Sequence, residues 1–71
     1  MNKVKGYRVM VGLTQKDMAN KLEISRESFI LKEKNDRFTT AEEIAITSIF
    51  NDCGLKLTRE EIFLNQKLTN N

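Results

Sequence analysis

Few residues in this 71-residue chain have the chemistry for catalysis. Histidine is absent and Cys53 is the single cysteine, so neither a usual zinc cluster nor an internal disulfide can be assembled. No nucleophile has an evident activating base. The adjacent carboxylates Glu42 and Glu43 suit the positive start of a helix better than an acid and base pair. Cys53 reads as a small buried hydrophobe rather than a reactive thiol. The expectation is a protein that is not an enzyme and uses no metal, cofactor or small-molecule substrate. What remains is charge: nine of the twelve Lys and Arg lie between Lys3 and Arg37, while five of the ten Asp and Glu lie between Glu42 and Glu61. The net charge of +2 does not by itself announce an anionic partner. Any phosphate-facing surface belongs to the N-terminal half.

These side chains must be positioned by one small domain, because 71 residues can bury only one modest core. There is no proline, and glycine occurs only at Gly6, Gly12 and Gly54, which points to helices separated by short turns. Val4, Tyr7, Arg8 and Val11 fall at helical spacing and predict a first helix from Asn2 to Val11, ended by Gly12 in a left-handed cap. Thr14 opens a second helix, with Asp17 at its positive end and Met18, Ala19 and Leu22 as its buried stripe. Glu23 and Ile24 form a turn, and Ser25 caps a third helix anchored by Phe29 and running to Glu33. Lys34 to Thr39 reads as a polar connection. Thr40 with Glu43 forms a capping box for a fourth helix, whose wide apolar face comprises Ile44, Ala45, Ile46, Ile49, Phe50 and Cys53 and which ends at Gly54. Thr58 with Glu61 forms a second box, and Leu57 and Ile62 staple the start of a short fifth helix. Residues 1–64 thus form the expected domain and residues 65–71 a flexible C-terminal tail. The absence of a long apolar run predicts a soluble, cytoplasmic protein with no membrane partner.

Two short helices joined by a tight turn, Thr14 to Leu22 and Ser25 to Glu33, match the size and spacing of a DNA-reading helix-turn-helix. Ala19 is small where the helices cross, Ile24 plugs the turn, and Phe29 returns to the core of Met18 and Leu22. The stretch GLTQKDMANKLEISRESF, from Gly12 to Phe29, resembles the lambda-repressor-like (Cro and repressor) helix-turn-helix family. Arg8, Glu33 and the LTREEIF segment from Leu57 to Phe63 extend the likeness over Val4 to Phe63. The resemblance implies an all-α, compact five-helix domain and a sequence-specific transcriptional regulator of a phage-like genetic switch, bound as a dimer to a double-stranded operator. Residue by residue, it implies that Gln15 touches a backbone phosphate and that Ser25, Arg26, Glu27 and Ser28 begin a recognition helix facing the major groove. There, arginine can bridge guanine O6 and N7, serine can donate or accept, and glutamate can accept from a cytosine amine. Lys34, Asn35 and Arg37 would reach phosphates from the following loop, and Arg8 and Glu33 would form an internal salt bridge.

The chain departs from the family pattern at two places. Glu23 stands where the family usually has a turn glycine, so either a non-glycine residue takes a positive φ or the turn is rebuilt, at a cost of about 1 kcal/mol. Ile30 and Leu31 stand where the family often carries polar residues, and at least one of them should be exposed because Phe29 already serves the core, unless the fourth helix or the tail after Leu64 covers it. This opens an alternative: an antirepressor or modulator that binds a companion repressor through Arg26, Glu27, Ile30 and Leu31.

Overall fold

Residues 2–64 are described by a computed structural model. In chain order they form α1 (Val4–Met10), α2 (Gln15–Leu22), α3 (Arg26–Asn35), α4 (Thr40–Asp52) and a single π-helical turn (Glu60–Leu64), with no strand among the described residues. The expected tail at 65–71 lies outside these residues.

Helix starts follow local side-chain chemistry. The Thr14 hydroxyl accepts from the Asp17 N–H at 2.9 Å, and the Asp17 carboxylate accepts from the Thr14 N–H at 2.9 Å, a reciprocal box that opens α2. The bond from the Thr14 backbone, followed by the one from its hydroxyl, holds the Asp17 carboxyl below its ordinary pKa of 3.8. Ser25 opens α3 by accepting from the Ser28 N–H at 3.0 Å. The box of α4 is one residue earlier than the sequence suggests: Thr39 pairs with Glu42, at 2.9 and 3.1 Å, and not Thr40 with Glu43. Two threonines followed by two glutamates satisfy either register. In the observed one Glu42 also meets Lys32 of α3 at 3.3 Å, while Glu43 meets Arg59 at 3.5 Å.

That register fixes the face of α4. Ile46 and Phe50, one turn apart, are buried, with Ala45 and Ile49 half-buried beside them. Ile44 lies about 160° around the helix from Ile46 and is 55% exposed. The apolar face is therefore narrower than the sequence pattern implies. Cys53 is the C-cap, one turn past the buried Phe50 where the chain leaves the core, and is exposed rather than buried.

The core comprises Val4, Met18, Ala19, Phe29, Ile46, Phe50, Ile62 and Phe63, with Leu22, Ile24 and Ile49 packed against it but only half-buried. The connection after α3 is not purely polar. α3 continues to Asn35, and Phe38 turns inward to pack between Phe29, tilted by 50°, and Phe63, edge-on at 71°, at centroid distances of 5.6 and 5.9 Å. The Lys3 N–H donates to the Ile62 carbonyl at 3.0 Å, which draws the start of α1 onto the π-helical turn. That turn begins at the Thr58 and Glu61 box, whose two backbone hydrogen bonds measure 2.7 and 3.2 Å.

Between α2 and α3, Glu23 adopts φ 59 and ψ 40, and the Ile24 N–H reaches the Ala19 carbonyl at 3.0 Å. The turn thus keeps the left-handed conformation that glycine would take freely, at the strain cost of a side chain in that region. Glu23→Gly should raise stability by roughly 0.5–1 kcal/mol and the melting temperature by a few degrees. A scanning calorimetry trace with an unchanged or lower midpoint would contradict this. Because the folded-state pKa of Asp17 lies below its ordinary value, its carboxylate contributes stability above pH 3.8 that disappears as pH falls through the lowered value. Asp17→Asn should therefore flatten the acid limb of a stability-against-pH profile below that point, whereas an unaltered limb would show that the box carries no linkage.

Candidate functional site

Three helices meet at one carboxylate. Glu33 of α3 accepts from Arg8 Nε at 2.9 Å, from Arg8 Nη2 at 3.4 Å and from Gln15 Nε2 at 3.0 Å. Arg8 also donates from Nη1 to the Leu13 carbonyl at 3.0 Å. The two ionic side chains are only 9% and 7% exposed. A planar guanidinium meeting both carboxylate oxygens is a strong, directional contact. The further bonds, from Arg8 to the Leu13 carbonyl and from Gln15 to Glu33, supply the partners without which a buried charge is costly. Gln15, the first residue of α2, is thereby half-buried and held to α3.

The same region contains a contributor that helical periodicity does not reveal. Asn2 donates from Nδ2 to Asp36 Oδ1 at 3.0 Å and to the Glu33 carbonyl at 3.4 Å, while its Oδ1 accepts from the Val4 N–H at 3.0 Å. An asparagine just ahead of a helix is the only sequence signal for this, and it signals a cap rather than a tie to α3.

The rotation of α3 about its axis is set by three anchors. Phe29 is fully buried, Glu33 is held by α1 and α2, and Lys32 reaches Glu42 of α4. With about 100° per residue, the side opposite Phe29 carries Glu27, Leu31, Lys34 and Asn35. All four are exposed, Leu31 by 58%. Ser25 and Arg26 are exposed at the start of the helix, and Ser28 is half-buried. Arg26 shares an open cleft of about 600 Å³ with Thr14, Gln15 and Lys16 at the start of α2. Ile30 is half-buried in a second cleft, of about 350 Å³, with Asn2, Lys5, Gln15, Glu33 and Lys34.

The structure therefore places Arg26 at one end of α3, with Gln15 between the cleft of Arg26 and that of Ile30. It sets Lys34 and Asn35 at the other, about 13 Å along the helix, with exposed Arg37 following Asp36 at φ 56. Lys5 joins Lys34 across the second cleft, a pairing that only the approach of α1 to α3 creates. Arg26, Lys34 and Arg37 make no ion pair among the described residues, so the cationic side chains of this face are available to an anion. Among the described residues there is no group of three or more His, Cys, Asp or Glu side chains that could hold a metal ion. Nor is any described helix long and apolar enough to cross a membrane. Compared with protein-family models, curated proteins and solved structures, the chain matches none of them.

Arg8→Ala would leave the Glu33 carboxylate buried without its main partner and should cost about 3 kcal/mol in a denaturant titration. The double replacement Arg8→Met with Glu33→Leu removes both charges and should recover most of that loss. A single-variant loss below about 1 kcal/mol, the range of exposed pairs, would contradict a buried pair.

Proposed function

We propose that the chain is a sequence-specific DNA-binding transcriptional regulator of Cro/repressor type, with α2 and α3 as its helix-turn-helix and α3 as the helix that enters the major groove. The observation that carries this reading is the outward face of α3. It is a ten-residue helix whose rotation is fixed by Phe29, Lys32 and Glu33, leaving Arg26, Glu27 and Lys34 exposed. A groove about 12 Å wide accepts such a helix, and these side-chain types suit base edges and phosphates. Arg26 offers two donors to guanine, Glu27 an acceptor to the cytosine amine, and Ser25 a hydroxyl proton not used in its capping bond. Lys34, Asn35 and Arg37 lie at the far end of the helix, where phosphates flank the groove. Gln15 has an amide hydrogen beyond the one given to Glu33 and stands at the amide-rich start of α2, suited to a phosphate oxygen. A double-stranded operator bound by two copies is the target this reading implies.

A second reading rests on Leu31, 58% exposed, beside half-buried Ile30 on the helix that carries Arg26 and Glu27. An antirepressor or modulator would use this surface to bind a companion repressor, with the apolar pair at the centre and charges at the edge.

Titration of a labelled duplex from the promoter region of the chain's own gene, with and without the neighbouring regulator, separates the two. If DNA is the target, Arg26→Ala should relax base preference, with a loss of about 1–3 kcal/mol on the preferred site. Lys34→Ala and Arg37→Ala should weaken binding to all sequences alike, each reducing the salt slope by about one unit. Unchanged affinity in all three variants would refute the DNA reading, and a complex formed only with the companion regulator would favour the second.

A further inference from the structure

Leu31 occupies the middle of the outward face of α3, one turn after Glu27 and one turn before Lys34 and Asn35, and all four side chains are exposed. An exposed leucine is ordinary on a protein surface. This one differs in that the helix cannot rotate to hide it. Phe29 is fully buried two residues earlier, Lys32 is tied to Glu42 at 3.3 Å and Glu33 to Arg8 at 2.9 Å, so the backbone bearing Leu31 is fixed from both sides.

The scale of the apolar surface decides which partner it fits. A stable protein interface buries on the order of 800 Å² on each side around an apolar centre. The other large exposed hydrophobics, Val9, Met10 and Ile44, belong to α1 and α4. On α3 only half-buried Ile30 adjoins Leu31, and the remaining neighbours on that face are charged or amide side chains. One leucine ringed by Glu27, Lys34 and Asn35 is too small for such a centre. It matches a partner that presents single methyl groups among hydrogen-bonding edges and phosphates. In the major groove that group is the C5-methyl of thymine, the only apolar feature by which a base pair is read there.

Resting on the DNA-binding reading above, we infer that Leu31 is a specificity-determining residue that packs on the C5-methyl group of a thymine, between the bases met by Arg26 and Glu27 and the phosphates met by Lys34 and Asn35. Its exposure is then the open half of a contact that DNA completes. No hydrogen bond is formed, and discrimination comes from removing one methyl group and the leucine side chain from water.

The test begins with a randomised pool of duplexes, from which the wild-type chain selects its preferred sequence. Each thymine of that duplex is then replaced in turn by uracil, which lacks only the methyl group. At one position per bound copy the wild-type chain should lose about 4-fold in affinity, the factor carried by burial of one methyl group. Leu31→Ala should bind the thymine and uracil duplexes equally. Leu31→Gln should shift the preference at that position toward adenine, whose N6 and N7 an amide can bridge. Because Leu31 is exposed, both variants should keep the wild-type melting temperature, which separates loss of readout from loss of fold. Equal binding of every uracil duplex by the wild-type chain would overturn the inference while leaving DNA binding intact, as would a full uracil penalty retained by Leu31→Ala. If the pool yields no preferred duplex, the DNA-binding reading itself fails, and the inference with it.

Discussion

The ion pair of Arg8 and Glu33 is the interaction on which the arrangement of the helices depends. Arg8 belongs to α1 and Glu33 to α3, twenty-five residues apart, and Gln15 brings the start of α2 to the same carboxylate. In a chain this small, with a single cysteine and so no internal disulfide, apolar burial leaves little surplus over conformational entropy. An almost dry ion pair does not stabilise strongly by itself. Its effect is directional: a fork of hydrogen bonds permits one relative setting of three helices, where interlocking hydrophobic side chains would tolerate several.

From that setting follows the geometry of the proposed interface. Phe29 packs with Phe38 and Phe38 with Phe63, so the connection after α3 and the π-helical turn close over the inner side of α3. Lys32 and Glu42 complete the restraint from α4. What remains outside is a strip with Glu27 at one end, Leu31 in the middle and Lys34 and Asn35 at the other, with exposed Arg26 beside its start. A surface held this rigidly has little ordering entropy to lose when a partner binds, so small contacts can discriminate.

Much of this was legible in the sequence where the signal is local. Thr14 with Asp17, Ser25 and Thr58 with Glu61 mark helix starts because each cap is made within four residues. Glu23 could be singled out only through the resemblance, whose family usually has glycine there, and φ 59 is the strained one of its two outcomes. Where local rules are degenerate, the reading slips. Thr39-Thr40 and Glu42-Glu43 fit either of two boxes, and only the contacts of Glu42 with Lys32 and of Glu43 with Arg59 select one. Phe38 sits in a polar stretch with no periodicity to reveal its direction, and Cys53 shares the apolar side of α4 in pattern yet falls beyond its last turn. At the candidate site, the helix start at Ser25 and an inward Phe29 imply that one of Ile30 and Leu31 is exposed, but the ties of Lys32 and Glu33 decide that it is Leu31. The pairing of Arg8 with Glu33 could be named only through resemblance, and the ties of Gln15 and Asn2 depend on segments that meet only in the folded chain.

The central claim, that the outward face of α3 meets double-stranded DNA, is tested most directly by a nuclear magnetic resonance titration of the isotopically labelled chain with a short duplex. Chemical-shift changes should concentrate on Gln15, Ser25 to Ser28, Leu31 and Lys34 to Arg37, and should diminish as salt is raised. Absence of changes at low salt, or changes centred instead on the exposed α4 residues Ile44, Ser48 and Asp52, would contradict it.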